Sequence, residues 1–533
     1  VRSRTQRIAT LWLYGLLALL ALAMPLLSVD FGPTWDEPYH IRYGQRVFDY
    51  LTSWGADQSY MLENSYLYGG GFDLFCTVAN KMFPSVKLFT LRHICNSFFG
   101  WLTIVFSGLL ALRLFSAWTA LATVVFLVLS PRFLGHCMNN PKDIPFAAFF
   151  MMSLYVMSKI DEKPPFFCLK NWLALVASVG LAINIRAGGV LLIAYVGGVL
   201  LACIIMNRRE MNVRSLGRLG LIWLLAASGM LLFGTLCWPW AQQNPFLRPF
   251  EALHELSRLG VQLQGEVLFN GVWQRIATAP RSYLPIWLYM TTPAPILLGV
   301  LASPLVCISA EKRHAAIALL FAGFFPLVYA VWIHAALYDG MRHFLFVYPI
   351  LAILAAAAWT SAFEALGVFA RKRWDSAWQY RSVICAFFLL AAALLWSPAR
   401  FSVARYPYLA VYFNSFAGGI HGAFGQYEVD YWHNSLKEAI AKVRQYGHGL
   451  GKRVSFSTAN GLEETPALYL DNDSDLEYIP RSSPRWDQAN LIILLLRGDP
   501  ESIRAIRAQM QQVDAVTVEG VPLSVILLQK QPL

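Results

Sequence analysis

Two adjacent carboxylates, Asp36 and Glu37, stand in the run Thr34-Trp35-Asp36-Glu37-Pro38-Tyr39-His40, just past a long apolar stretch. A carboxylate at a membrane surface can take a proton from an attacking hydroxyl, so the pair reads as an acid/base centre. An ordinary solvated pair of loop acids would have the same residues. Three further runs put charge into short connections between apolar stretches. Asn139-Asn140-Pro141-Lys142-Asp143 offers a lysine and another acid, although asparagine and proline also form turns and Lys142 can snorkel at a membrane rim. Asn184-Ile185-Arg186-Ala187-Gly188-Gly189 sets an arginine among small residues whose N–H groups can approach a phosphate. The plainer reading of Arg186 is pairing with a lipid headgroup. Tyr338-Asp339-Gly340-Met341-Arg342-His343 follows the same logic through Arg342. Carboxylates that activate a nucleophile, with cations that hold a phosphate, are the parts for glycosyl transfer from a lipid phosphate. The cations would stabilise charge developing on the leaving phosphate.

Those four runs need a scaffold that brings them to one face. The chain of 533 residues is 57% hydrophobic and 14% charged, well below the charged share of about 25% in soluble domains. A span needs about 20 mostly apolar residues, and about eleven candidates satisfy or approach this. They lie near Ile8–Val29, Ile94–Leu114, Trp118–Leu134, Ile144–Met157, Trp172–Ile185, Gly189–Met206, Leu219–Trp238, Leu284–Ser309, Ala315–His334, Phe344–Ala362 and Val383–Trp396. The fourth, fifth and eleventh are short. With the N-terminus in the cytoplasm, alternate loops collect clusters such as Arg208, Arg209, Arg214 and Arg218, or Arg371, Lys372, Arg373 and Arg381. The short outer connections hold only Lys142, Arg186 and Arg342, with Arg132 a fourth if the third span ends early. This bias places the C-terminal region outside, and it leaves each lone outer cation in need of an anion.

Residues 30–93 and 239–283 form long outer loops. In the second, Pro249 opens a helix with Phe250, Leu253, Leu256 and Leu259 at every third position, the pattern of a helix lying on a membrane surface. The expected division is a transmembrane domain at 1–398 and an extracytoplasmic α/β domain at 399–533. In the tail, Ser435-Leu436-Lys437-Glu438 is a capping box opening a helix that Gly447 ends. Val454–Thr458 and Leu491–Leu496 read as strands, Asp499-Pro500 caps another helix, and Val516–Val518 with Ser524–Leu528 closes as a hairpin. The fold class is therefore an all-α polytopic membrane protein with a small C-terminal α/β domain. Ala21-Leu22-Ala23 mimics a signal-peptidase site, but the acids follow it at once, and the first apolar run reads as a retained anchor.

The net charge is +11, which invites a nucleic-acid reading. The basic residues sit in short loops between apolar runs and not on one soluble face, so no nucleic-acid partner is expected. The eight cysteines show no CxxC or Cys/His spacing, and neither a disulfide scaffold, a metal site nor a cofactor is read from them.

With these residues in place, the chain resembles the GT-C superfamily of membrane glycosyltransferases. The closer likeness is to the protein O-mannosyltransferase and aminoarabinose-transferase branch (glycosyltransferase family 39 and its bacterial relatives). Asp36-Glu37 resembles the acidic signature of that superfamily. Ser282-Tyr283-Leu284-Pro285 with Thr292-Pro293-Ala294-Pro295 is similar to the branch's "KTPxP" region. Gly340-Met341-Arg342-His343-Phe344 with Tyr348-Pro349 resembles its "GxRYxLPxxP" segment. Tyr406-Pro407-Tyr408, Tyr412-Phe413-Asn414, Gly418-Gly419 and Asp430-Tyr431-Trp432 are similar to a tail segment of bacterial members. Thr291 stands where the branch often has lysine, so that phosphate contact is absent or falls to Arg281 or Lys142.

The resemblance implies a GT-C fold in a bacterial inner membrane and inverting transfer from a polyprenyl-phosphate sugar to a lipid, glycan or protein acceptor. Asp36 carries over as the base with Glu37 beside it, Asp143 matches the second-loop acid by position, and Arg186 and Arg342 carry over as phosphate ligands. The rival from another class is a lipid or sugar transporter or flippase. Transporters place ionisable residues near the bilayer midplane and often show internal repeats. Here the acids cluster at outer loops, which favours the enzyme.

Overall fold

The computed structural model describes residues 4–160, 166–262, 265–373, 377–451, 453–459, 462–470, 474–497 and 500–529. Among the described residues, seven helices are long and apolar enough to cross a membrane: Arg4–Ser28, Leu88–Leu114, Ala187–Met206, Val213–Gly234, Arg313–Trp332, Tyr348–Arg373 and Trp378–Ala404. Three shorter apolar helices, Asp143–Met157, Leu169–Ile185 and Ala294–Ile308, fall on the fourth, fifth and eighth expected spans. Helix Leu88–Leu114 packs against Arg4–Ser28, Ala117–Val128 and Asp143–Met157, and one apolar core runs through them all.

Two expected spans are broken, and proline marks both breaks. The third, Trp118–Leu134, is not straight. Helix Ala117–Val128 starts with Ser116, whose side chain accepts from the Thr119 N–H. The chain then bends by 72° into helix Pro131–Asn139. Pro131 disfavours helical backbone at the residue before it, and Ser130 is extended. At the first helical position the proline's missing N–H costs nothing. Every residue of Pro131–Asn139 is buried, including Arg132 and His136. The eighth, Leu284–Ser309, breaks at Thr292-Pro293 into helices Tyr283–Thr291 and Ala294–Ala302, followed by a 3-10 turn at Ser303–Ile308.

The two long loops, expected on the outer side, carry helices of their own. Glu37–Thr52 packs against Gly71–Met82, and the surface helix runs Arg248–Gln262 with Phe250 and Leu253 exposed. It is followed by a small hairpin, β1 (Glu266–Phe269) with β2 (Val272–Arg275).

Beyond Ala404 the tail builds a five-stranded mixed sheet in the order β4-β3-β5-β7-β6. Its strands are β3 (Val454–Thr458), β4 (Leu476–Tyr478), β5 (Leu491–Leu495), β6 (Gln511–Val518) and β7 (Val521–Leu528). β3 pairs parallel with β4 and β5, whereas β7 pairs antiparallel with β5 and β6. The continuous apolar run of β5 follows from burial on both faces. Leu491, Ile493 and Leu495 meet Leu436, Ile440 and Val443 of helix Leu436–Leu450, while Ile492 and Leu494 meet Ile503 and Ile506 of helix Pro500–Gln509.

The expected capping box does not form. Ser435 makes no side-chain cap, and its buried hydroxyl has no hydrogen-bond partner. Asp430 takes over: its carboxylate accepts from the N–H groups of Asn434 and Ser435 at 2.8 and 3.0 Å. A charged acceptor at a helix N-terminus makes a stronger bond than a hydroxyl. The helix also passes Gly447 and ends at Gly451, whose φ of +60° gives the left-handed stop. Asp499, expected to cap the next helix, lies outside the described residues.

Candidate active site

Asp36 and Glu37 open one helix but face different ways. Asp36 is the N-cap residue of Glu37–Thr52. Its Oδ1 accepts from the Thr34 hydroxyl at 2.8 Å, and Oδ2 lies 3.3 Å from NH1 of Arg342. Glu37 turns into the protein. Its carboxylate is 1% exposed; Oε2 accepts from the Thr34 N–H at 2.7 Å, and Nε2 of His93 lies 3.1 Å from both oxygens. The expected catalytic pair is thus one acid at the cluster and one acid bracing the loop beneath it. Glu37→Gln should therefore cost stability, about 1–3 kcal/mol for a buried hydrogen-bonded group, and should reduce turnover only several-fold. Thermal unfolding and rate, measured on the same preparation, separate the two. A rate loss as deep as that of Asp36→Asn at unchanged stability would make Glu37 a direct participant.

Three of the lone cations of the short connections converge on Asp36 and Asp143. Arg342 lies 4.0 Å from Asp143 through the same NH1 that meets Asp36, and its NH2 pairs with Asp339 at 2.9 Å. Arg186 forms an ion pair with Oδ1 of Asp143, whose Oδ2 accepts from the Asn140 amide at 3.0 Å. The Lys142 ammonium stands 3.5 Å from the centre of the Tyr68 ring. Burial first, then Arg186, push the Lys142 amine down to about 8, with Arg342 adding to this and Asp36 and Asp143 opposing it.

Tight backbone contacts hold these groups in place. Tyr68 precedes three glycines, and a Cβ on Gly69 would fall 1.8 Å from the Asn184 carbonyl oxygen. Only glycine lets that loop rest on the turn that carries Arg186. Asp339 and Gly340 both have positive φ, +56° and +67°, and the Gly340 N–H donates to the Tyr283 hydroxyl at 3.0 Å. This strained turn aims Asp339 and Arg342 in one direction.

The tail contributes a wall that the sequence did not mark as part of the site. Trp432 stands between His136, 4.8 Å away edge to face, and Arg342, whose guanidinium lies 5.5 Å from its ring. The Tyr431 hydroxyl is 2.7 Å from Nε2 of His136. Arg497, from the end of β5, pairs with Asp339 at 2.5 Å and Glu428 at 2.9 Å. Burial raises the Glu428 carboxyl to about 7; Arg497 opposes this and Asp339 adds to it. Asp339 was visible inside its turn beside Arg342. Asp430-Tyr431-Trp432 was visible as a motif. Nothing around Arg497 marked it.

Arg281, the remaining candidate, stays apart. It is exposed beside Pro280 and the helix Tyr283–Thr291, and none of its contacts reach the cluster. Thr291, at the position of the branch's lysine, is buried and donates to the Trp287 carbonyl at 2.6 Å. Lys142 is the residue that stands with the acids. Among the described residues, no group of three or more His, Cys, Asp or Glu side chains is placed to hold a metal ion.

Comparison with known proteins agrees with this architecture. Residues 75–238 match the family model described as dolichyl-phosphate-mannose-protein mannosyltransferase. No curated protein matches the chain. Among solved structures, ArnT from Cupriavidus metallidurans, in the apo state and bound to undecaprenyl phosphate, is 16% identical, with a TM-score of 0.51 over 96% of this chain and 97% of that one. The archaeal oligosaccharyltransferase AglB from Archaeoglobus fulgidus, in complex with an inhibitory peptide and a dolichol-phosphate, is 11% identical, with a TM-score of 0.51 over 92% of this chain and 70% of that one. The likeness to these solved structures is one of fold, and the family match covers residues 75–238 of the chain.

Proposed function

We propose that the protein transfers a sugar from a polyprenyl-phosphate donor to an acceptor hydroxyl on the non-cytoplasmic face of a bacterial inner membrane, with inversion at the anomeric carbon. The single observation that carries this reading is the meeting of Asp36 with Arg342, 3.3 Å apart, in a group that also holds the buried Asp143 and the half-buried Arg186 and Lys142. Asp36 takes the acceptor's proton as the hydroxyl oxygen attacks the anomeric carbon. The new C–O bond forms as the bond to the phosphate oxygen breaks, from opposite faces of the sugar. The departing polyprenyl phosphate gains charge, and Arg342, Arg186 and protonated Lys142 meet it. Asp143 holds Arg186 in place, and Glu37 braces the Asp36 loop. The biased distribution of basic residues supports an N-terminus in the cytoplasm and a C-terminal domain outside. The undecaprenyl phosphate bound to ArnT supports the donor class.

The direct test uses cells with and without the protein. Lipid extracts analysed by mass spectrometry should show a polyprenyl-phosphate sugar accumulating on deletion, and purified protein should consume that lipid. No accumulation, together with no consumption of any such lipid, would overturn the reading.

The lowered Lys142 amine adds a signature in pH. Its charged form is present below about 8 and is lost as pH rises through that value. The profile of kcat/KM reports groups of the free enzyme, so it should fall on the alkaline side near pH 8. In Lys142→Arg the guanidinium stays charged, so that limb should move out of range. An alkaline limb unmoved by Lys142→Arg would assign the titration to another group.

A further inference from the structure

Arg497 belongs to the C-terminal domain, yet its side chain ends among the charges of the membrane domain's outer face. NH2 meets Oδ1 of Asp339 at 2.5 Å, and Nε donates to Oε1 of Glu428 at 2.9 Å. NH1 donates to the Tyr431 carbonyl. Asp339 is 0% exposed, and its other oxygen lies 2.9 Å from NH2 of Arg342 as an ion pair. Arg342 then reaches Asp36. One row of alternating charge, Glu428–Arg497–Asp339–Arg342–Asp36, therefore joins the C-terminal domain to the proposed base. Arg497, the link between the two parts, lies 158 positions from Asp339 in the chain.

A fully buried carboxylate holds its counter-ion hard, because an uncompensated charge there is costly. Asp339 shares two cations. Were Arg497 absent, Asp339 would be left with Arg342 alone and would compete for it against any incoming phosphate. We infer that Arg497 is a positioning residue: by sharing Asp339 it leaves Arg342 available to the donor phosphate, and it makes the C-terminal domain a working part of the donor site. This rests on the transferase reading given above. The domain is then more than a cap, since the charge that frees Arg342 comes from the end of its central strand.

The test uses the purified full-length protein in phosphatidylcholine nanodiscs, with undecaprenyl phosphate as the binding probe and a polyprenyl-phosphate sugar for rates. Arg497→Gln should weaken probe binding roughly tenfold, within the usual range of coupling between linked sites. The donor KM should rise more than kcat falls. Arg497→Lys should recover part of the loss, because an ammonium still balances Asp339. Adding Asp339→Asn to Arg497→Gln should restore binding, since a neutral amide no longer competes for Arg342; such a reversal is the mark of coupled neighbours. A merely structural role lowers the folded fraction and is not reversed by a second substitution. Glu428→Gln is the independent variant should Arg497→Gln not fold. It removes the second carboxylate that Arg497 serves, strengthens the Arg497–Asp339 pair and should tighten probe binding. Equal binding by the wild type and Arg497→Gln, a loss that Asp339→Asn does not reverse, or unchanged binding in Glu428→Gln would each overturn the inference. A wild type that binds no undecaprenyl phosphate would defeat the donor reading itself, and the role of Arg497 with it.

Discussion

Asp36→Asn should leave a folded protein that binds its lipid donor and scarcely turns it over. The amide is nearly isosteric with the carboxylate, so the Thr34 hydroxyl at 2.8 Å keeps an oxygen to donate to. The proton acceptor is gone. A positioned general base typically contributes about 10²–10⁴-fold, and the loss should lie in kcat. The substitution also removes the anion 3.3 Å from Arg342. Arg342 then has one fewer carboxylate to serve, so affinity for the phosphate should hold or improve. The measurements are initial rates with a synthetic polyprenyl-phosphate sugar and donor binding by titration, both on protein checked for thermal unfolding. A wild-type rate would remove the proposed base. Neighbouring Glu37 cannot replace it, because its carboxylate is committed to His93 and the Thr34 N–H.

Arg342→Lys should be nearly as harmful although the charge is kept. Arg342 uses NH1 for Asp36 and NH2 for Asp339, with Asp143 at 4.0 Å. A planar fork spans two carboxylates at once, whereas an ammonium on a flexible stem is a point charge that can settle on one. Asp339, fully buried and closest, should win it. The phosphate then loses a preorganised donor, a loss that elsewhere costs about 10²–10³-fold in turnover. Arg281→Lys is the control, because Arg281 is exposed and stands apart from the cluster. Equal effects of the two substitutions would mean that the fork geometry at Arg342 is not used. Preserved activity in Arg342→Lys, with a loss in Arg281→Lys, would shift the phosphate contact to the entrance of helix Tyr283–Thr291.

Hydrophobicity is a local property, and it was enough to place helices along the chain. Each expected span overlaps an apolar helix, and the apolar runs of β5 and β7 were equally plain. The four charged turns were legible for the same reason: a cation or acid interrupting an apolar run stands out against its neighbours. Breaks inside spans were less legible, because Ser130-Pro131 and Thr292-Pro293 can kink a helix or end it, and packing decides which. The direction of a side chain was not legible at all. Successive helical residues point about 100° apart, so Asp36 and Glu37, adjacent in sequence, divide between the cluster and the interior. The capping role likewise passed from Ser435 to Asp430 once the tail folded back.

Partnership across the fold was decided by tertiary structure alone. Arg342 meets Asp36 across 306 positions, and Arg497 meets Asp339 across 158. Composition around Arg497 is that of any strand end, and its proposed role depends on the C-terminal sheet resting over the turn that carries Asp339 and Arg342. The sequence determines which groups can be charged and which segments must leave water. It does not by itself determine which buried charges neutralise one another, because that depends on distances of a few ångströms set by the packing of distant helices. In a low-dielectric interior, the energy of each pair depends steeply on such distances.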